Sequence, residues 1–191
     1  MFKRIRVPRI ETERLILRPW EKKDATALYA YAKNPNVGPH AGWKPHKDAT
    51  ESREIITEIF LKNMCWCVTE KATGRVIGNI GLEDDIRRPG LGSKELGYSL
   101  DEEFWGRGIM TEAAKKLIVY GFEELKLNVM SINTGESNFR SQSVIDKCGF
   151  HFEGVLRNSS KEYDGTPRNL RVYSMLRSEY EAYKAEGRFD G

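Results

Sequence analysis

The sequence predicts an α/β fold: a mixed, mainly antiparallel sheet layered with helices. Three observations carry this expectation. Alternating and helical-period segments follow one another in the order β-α-α-β-β-β-α-β-α-β-β. No repeat, low-complexity linker or charge block divides the chain. Of the 191 residues, 39% are hydrophobic and 31% charged, the balance of a globular chain with a well-solvated surface. This length suits one domain over residues 1–191, large enough to bury roughly two-thirds of its unfolded surface.

Residues 10–18 read as a strand, with Leu15 and Leu17 on one face and Ile16 on the other. Asp24 is placed to cap a helix through Ala25, Leu28, Tyr29 and Ala32, which Asn34-Pro35 ends. Residues 37–47 hold glycines, two prolines, His40, His46 and Trp43, and read as a loop. Thr50 or Ser52 starts a second helix, with Ile55, Ile56, Ile59 and Phe60 at helical spacing. Strands at 65–70 and 75–82 flank the turn Lys71-Ala72-Thr73-Gly74, and a polar loop over 83–94 leads to a strand at 95–100.

The next helix shows a sustained apolar face: Met110, Ala113, Ala114, Leu117, Ile118, Gly121, Phe122 and Leu125. A strand over 129–134 follows. Asn138 opens a further helix that Gly149 terminates. Strands at 151–157 and 170–176, linked through Asp164-Gly165, precede a short helix starting at Ser178 with Glu181 in a capping box.

Composition excludes several functions. A net charge of +3 with scattered basic residues argues against nucleic acid, Arg87-Arg88 being the one compact pair near a candidate site. The apolar runs are too short for a membrane span. The start, Met1-Phe2-Lys3-Arg4-Ile5-Arg6, lacks the apolar stretch of a signal peptide. Three cysteines make no disulfide framework, which points to a reducing cytoplasm. Cys65 and Cys67 flank Trp66 and share one face of a strand. No nearby histidine or second cysteine pair completes a metal site with them, so they read as buried thiols and no metal is expected.

The most informative segment runs from Glu103 to Ala114, where a strand meets a helix through Trp105-Gly106-Arg107-Gly108. Two glycines allow a sharp turn and leave amide N–H groups uncovered. The first turn of a helix adds unsatisfied donors and partial positive charge, so the loop is built to hold an anion. A Walker A loop would need Lys-Ser/Thr after its last glycine, where Ile109-Met110 stand; a dinucleotide fingerprint would need glycine where Thr111 stands.

With its flanks, this segment resembles the acyl-CoA pyrophosphate loop of the GNAT N-acetyltransferases, in the RimJ/RimL-like branch that acetylates protein N-terminal amines. Thr12-Glu13-Arg14-Leu15-Ile16-Leu17-Arg18 resembles the first strand of that branch, and Glu95-Leu96-Gly97-Tyr98 its fourth. Asn138-x-x-Ser141-x-x-Val144, closing at Gly149-Phe150, is similar to the helix beside the pantetheine arm. The resemblance covers nearly the whole chain. It implies a single-domain GNAT fold with helices on both faces of the sheet, acetyl-CoA as co-substrate and an amine acceptor.

It also implies residue roles. Tyr98, Ser99 and Leu100 would pair with pantetheine through their backbones. Gly106, Arg107, Gly108, Ile109, Met110 and Thr111 would hold the pyrophosphate beside Trp105. Asn138 would bond the pantetheine arm, and Arg140 would reach a phosphate. Trp105 and Met110 depart from the general family pattern in the manner of the RimL-like branch. Direct attack by an amine on a thioester requires a base, an oxyanion donor and an acid. Glu95 is the favoured base, with Glu83, Asp84, Asp85 and Glu162 as alternatives, and a structural ion pair with Arg18 as its other reading. Many members carry a tyrosine seven residues after the motif asparagine, where this chain has Ile145. Ser141 is the nearest replacement acid, unless its hydroxyl only bonds back to a helix carbonyl. Another family pattern places an acid before the last strand, where this chain has Asn169, which takes no proton.

Trp43, His40 and His46 belong to the loop expected to wall the acceptor pocket, with Glu83 nearby. The acceptor would be a peptide N-terminus, such as that of a ribosomal protein, or a small amine: a polyamine, an amino acid or an aminoglycoside. A non-catalytic acyl-CoA-binding module is the reading outside catalysis. A homodimer is common in the branch.

Overall fold

The computed structural model describes residues 5–189; Met1 to Arg4, the first residues of the basic start, lie outside them. Eight strands are present among the described residues: β1 (Ile10–Glu11), β2 (Leu15–Pro19), β3 (Met64–Glu70), β4 (Val76–Asp84), β5 (Ser93–Leu100), β6 (Val129–Gly135), β7 (His151–Lys161) and β8 (Pro167–Leu176). Six α-helices join them: α1 (Ala25–Ala32), α2 (Gly38–Ala41), α3 (Ala49–Glu58), α4 (Ile109–Glu123), α5 (Phe139–Cys148) and α6 (Arg177–Ala185). The strands form one sheet in the order β1-β2-β3-β4-β5-β6-β8-β7. Among the described residues, only the β5–β6 pair is parallel.

The period of two along each strand divides the core between the faces. On β3, Trp66 and Val68 join the cluster built on α4, α5 and α6, while Cys65 and Cys67 face α1 and α3. In α4, Ala113, Ala114, Leu117, Ile118 and Phe122 expose nothing to solvent. Burying the larger three stabilises by roughly 1.5–3 kcal/mol each. The other face is covered by Leu28, Tyr31 and Ala32 of α1 with Ile56 of α3. Helices therefore lie on both faces, as expected.

Several boundaries differ from the sequence reading. The expected first strand folds back on itself, β1 pairing antiparallel with β2 (Ile10 opposite Leu17). Thr12 makes the turn, its Oγ1 accepting from the Leu15 N–H at 3.0 Å and donating to Glu112. Asp24 does not cap α1; it grips the Arg18 guanidinium with both oxygens at 2.8 and 2.9 Å. Asp48, rather than Thr50 or Ser52, caps α3, accepting from the Glu51 N–H at 2.8 Å. α6 starts at Arg177, with Glu179 accepting from the Leu176 N–H at 2.8 Å. The loop at 37–47 contains α2, ended by Gly42 at φ +87°. These are contests between local polar groups of similar strength, decided by packing.

Glu112 fastens the β1–β2 turn to the start of α4. It accepts from Thr12, from the Arg14 N–H at 2.9 Å and from Arg14 Nε at 2.7 Å. Burial raises its carboxyl pKa, but those donors outweigh burial and hold it below the ordinary carboxylate range. Its stabilisation is therefore present above the unfolded pKa and lost as pH falls through the lowered folded value. Glu112→Ala should cost about 1–2 kcal/mol at neutral pH, with Arg14 partly exposed, and the deficit should shrink in acid. Urea midpoints at neutral and acid pH read both effects; equal midpoints for variant and wild type at pH 7 would show that the turn folds without this clamp.

Candidate active site

The parallel ladder between β5 and β6 holds only three residue pairs, Ser93 with Val129, Lys94 with Met130 and Glu95 with Ser131. Beyond Glu95 the two strands part. β5 stays paired to β4 as far as Leu100, and β6 stays paired to β8 as far as Gly135. Their facing edges bound a cleft of about 720 Å³ lined by both strands, the α4 and α5 N-termini and α2.

The phase of the β4–β5 ladder decides which backbone groups face that cleft. The Asp101 N–H donates to the Ile77 carbonyl at 2.8 Å, so residues 97, 99 and 101 spend their backbone groups on β4. Lys94 and Leu96 turn theirs toward β6, and beyond the end of that ladder Tyr98 and Leu100 turn theirs toward the opening. Of the three residues expected to pair with pantetheine through their backbones, Tyr98 and the Leu100 N–H face the opening and Ser99 does not. Ser99 points its backbone at β4, and its buried hydroxyl donates to Asn79 Oδ1. The Leu100 carbonyl is taken by the Trp105 indole N–H at 2.9 Å, which closes one end of the cleft. Tyr98 keeps both its groups free.

Gly106 and Gly108 turn the chain into α4 at φ +75° and +74°, the left-handed region that strains any other residue. The first internal bond of α4 runs from the Glu112 N–H to the Gly108 carbonyl at 3.0 Å. The N–H groups from Gly106 to Thr111 thus precede the ladder, while the Ile109 and Met110 side chains bury in the core beneath. Gly106, Gly108, Ile109, Met110 and Thr111 all line the cleft. Arg107 stands outside its lining, its guanidinium 5.2 Å from the Phe104 ring and its carbonyl held by Arg14 at 3.0 Å.

Across the cleft, Asn138 caps α5, its Oδ1 accepting from the Ser141 N–H at 3.1 Å and its amide NH₂ left over. Arg140 lies 4.6 Å over the Trp105 ring, beside the loop amides. The Ser141 hydroxyl meets the Tyr98 hydroxyl at 2.9 Å. Burial pushes the Tyr98 phenol well above its ordinary range, so it stays a neutral proton donor. Sequence reasoning used Tyr98 only for its backbone; the strand period already put its side chain on the α5 side.

The opposite face of the same strand carries Glu95. Its carboxylate receives Arg87 Nη1 at 2.5 Å and the Asn133 amide, so the expected alternative partner, Arg18, is corrected to Arg87. Burial raises the Glu95 pKa above the ordinary carboxylate value, Asp85 and Glu83 add to the rise, and Arg87 opposes it. Glu83 stands directly opposite on β4 and also lines the cleft. The other alternative carboxylates do not line it. Asp84 is exposed and paired with Lys94 at 2.6 Å. Asp85 is buried against Ser131 and Arg88. Glu162 bonds Arg168 at 3.4 Å.

Trp43, His40 and His46 all border the cleft. His46 sits 5.1 Å from the Trp43 ring, with Nδ1 2.8 Å from Ser52 Oγ, and burial holds its pKa below the usual value. Tyr31, Asn79 and Arg168 also line this half, and no local sequence signal marked them. Asn169 bonds Glu136 at 2.7 Å and is not among the lining residues. Cys65, Cys67 and Cys148 are buried free thiols with pKa values pushed up to about 12 by burial. Among the described residues there is no cluster of three or more His, Cys, Asp or Glu that could hold a metal ion, and no helix long and apolar enough to cross a membrane.

The pattern of the acetyltransferase (GNAT) domain matches residues 14–151. An uncharacterised N-acetyltransferase, p20 of Bacillus licheniformis, is 32% identical over 174 residues, covering 88% of this chain and 96% of its own. A solved acetyltransferase of the GNAT family from Bacillus anthracis superposes with a TM-score of 0.81 at 22% identity, over 90% of this chain and 100% of that one. The ribosomal-protein-S5-alanine acetyltransferase from Vibrio fischeri gives a TM-score of 0.72 at 22% identity, over 91% and 99%. At that identity these two speak for the fold alone. The matched residues include the split strands, the glycine loop and the capped helix beside them, and on that ground the chain belongs to the GNAT acetyltransferase family.

Proposed function

We propose that this protein transfers the acetyl group of acetyl-CoA to a primary amine, the acceptor being a protein or peptide N-terminus of the kind used by the RimJ/RimL-like branch, in the cytoplasm. One observation carries the reading. β5 presents a carboxylate, Glu95, to one side of the cleft and the Tyr98 hydroxyl to the other, where it meets Ser141 of α5, with backbone donors between. Ribosomal-protein acceptors are supported by a relative named as a putative ribosomal N-acetyltransferase, YdaF of Bacillus subtilis, 38% identical over 113 residues, covering 58% of this chain and 59% of its own.

The residues fit acetyl-CoA. The free edge at Tyr98 offers the N–H and C=O that the pantetheine amides would match, and the Gly106–Thr111 amides with the α4 dipole suit a pyrophosphate. Arg140 supplies charge beside that cradle. The family's co-substrate brings the activated acetyl thioester.

Glu95 takes the proton from the incoming ammonium, directly or through one water, and its raised pKa brings it closer to that of the amine. The amine then attacks the thioester carbonyl. The Tyr98 N–H, on the free edge of β5, would donate to the developing oxyanion. As the C–S bond breaks, the nitrogen gives up its second proton to solvent, and Ser141, backed by the neutral Tyr98 hydroxyl, hands a proton to the departing thiolate and regains one from solvent. Glu83 adds negative potential that draws a cationic amine into this half.

Three tests follow from these roles. Glu95→Gln should lower turnover at neutral pH by roughly 10²–10⁴ with little change in acetyl-CoA affinity. The wild-type acid limb, set above the ordinary carboxylate range, should vanish, and the deficit should shrink at high pH as the amine loses its proton unaided. A stable variant with wild-type turnover would remove Glu95 as base and leave Glu83. Ser141→Ala should reduce turnover more than affinity; if it stays active while Tyr98→Phe fails, the phenol is the acid. Gly108→Asp forces a side chain into the left-handed region and adds a like charge beside the phosphates, so calorimetry should find acetyl-CoA binding lost. Unchanged affinity would take the loop out of the site.

A further inference from the structure

We infer that Arg168 anchors the acceptor by an oxygen about 7 Å from the reacting amine, which makes the second residue of a peptide, rather than the amine alone, part of what the enzyme recognises. The inference rests on the acetyl transfer proposed above and narrows its substrate.

Arg168 enters from the start of β8 and lines the cleft. Its Nη1 lies 3.9 Å from where a Cβ on Gly135 would stand, and its Nη2 3.0 Å from the same point on Gly42. Two glycines, one ending β6 and one ending α2, leave the guanidinium its space. Its internal bonding is incomplete. Glu162 reaches Nη1 only at 3.4 Å, and the buried Nε has no hydrogen-bond partner among the described residues. A buried donor of a charged group without a partner is costly, and a guanidinium presents its donors as a rigid fork suited to carboxylate or carbonyl oxygens. The Nε itself is closed off, but Nη2 of the same fork makes no hydrogen bond among the described residues, so the fork that lines the cleft is arranged for a ligand oxygen.

The register supplies the spacing. Ser131, Asn133 and Gly135 share one face of β6. The Asn133 amide donates to Glu95, so the carboxylate lies beside position 133 on that face. The guanidinium lies beside position 135, its Nη1 within contact distance of where a Cβ there would stand. Two residues of strand separate them by about 7 Å. An α-amino acid places its carboxylate too close to its own amine to span that distance, whereas an extended peptide carries its next backbone oxygens about one residue further along. A polyamine would bring a second cation toward Arg168, which repels it. Trp43, next to Gly42, walls the space between the two charged groups and suits the apolar part of a first residue.

The test compares Ala-Ala-NH2, alaninamide and n-butylamine as acceptors, by initial rates with acetyl-CoA and by calorimetry on the CoA-saturated protein. Arg168→Met should raise the KM and Kd for Ala-Ala-NH2 about tenfold to a hundredfold, leave kcat nearly unchanged and alter n-butylamine little. Arg168→Lys should recover only part of the loss, because an ammonium lacks the fork. Glu162→Gln, which removes the internal ion pair without touching the acceptor, should keep the dipeptide KM within about twofold. An Arg168→Met protein of normal melting temperature and unchanged dipeptide Kd would overturn the inference. So would equal losses in Arg168→Met and Glu162→Gln, which would mark a purely structural tie, or an equal dependence for alaninamide, which would place the oxygen on the first residue. Dipeptide binding that depends on Arg168 without any transfer would support the anchor and sink the transfer; a wild-type protein that binds no dipeptide would sink the anchor.

Discussion

The site depends on where a hydrogen-bond ladder stops. Three parallel pairs hold β5 to β6, and the ladder ends at Glu95 and Ser131. One or two more pairs would satisfy the Tyr98 backbone within the sheet, close the cleft and bring Glu95 and Ser141 no substrate. Leaving backbone donors and acceptors unpaired at a partly buried edge costs stability, on the order of 1–3 kcal/mol for each group that water does not reach. The rest of the fold holds the separation in place. β4 and β8 keep the parted strands straight by pairing along their full lengths, α5 leans across the gap through the Tyr98–Ser141 contact, and the Trp105 indole takes the carbonyl at the end of the opening.

A second constraint follows from the strand period. Adjacent residues point to opposite faces, so one strand can serve two chambers. Leu96, Tyr98 and Leu100 send side chains to the α4–α5 face, where the loop amides and Asn138 gather. Glu95 and Ser99 face α1 and α3 with Asn79, Tyr31 and Trp43. The proposed base and acid are thus kept apart by the thickness of a strand, joined through the opening. A one-residue slip of β5 would exchange the chambers and put Leu96 or Lys94 where the proposed base stands. The seven-pair β4–β5 register, from Gly78 opposite Leu100 to Asp84 opposite Lys94, guards against that.

What was legible in the sequence was local. The apolar face of α4, the glycines at 106 and 108, the Asn138 cap and the Gly149 terminator all depend on neighbours within a few residues, and each stands where it was expected. Glu95 was placed at a cleft-facing position through its strand. The errors share the opposite character. Arg18 goes to Asp24 and Glu95 to Arg87, choices that depend on which charges the fold brings near. Thr12 meets Glu112 across a hundred positions, which turned an expected strand into a hairpin. The backbone direction of Ser99 depends on a pairing phase that no composition reveals. Tyr31 and Arg168 carry no motif and reach the cleft from helix and strand ends far apart in sequence.

The electrostatics of the acceptor half bear on which amine it suits. An α-amine with a pKa of about 8 is neutral in roughly one molecule in ten at pH 7, and a lysine with a pKa of about 10.4 in roughly one in 2,500. The difference of about 2.4 pKa units is about 3 kcal/mol that a site must supply before a lysine can attack. Glu95 is raised by burial and by two neighbouring carboxylates, yet Arg87 sits on one of its oxygens and restrains that rise. If Glu95 is the base, as proposed, an α-amine asks less of it than a lysine does. Arg168 sharpens the contrast, because a positive group in the same half disfavours acceptors carrying a second cation. Both features favour an α-amine on a chain that carries oxygen over a long flexible side-chain ammonium.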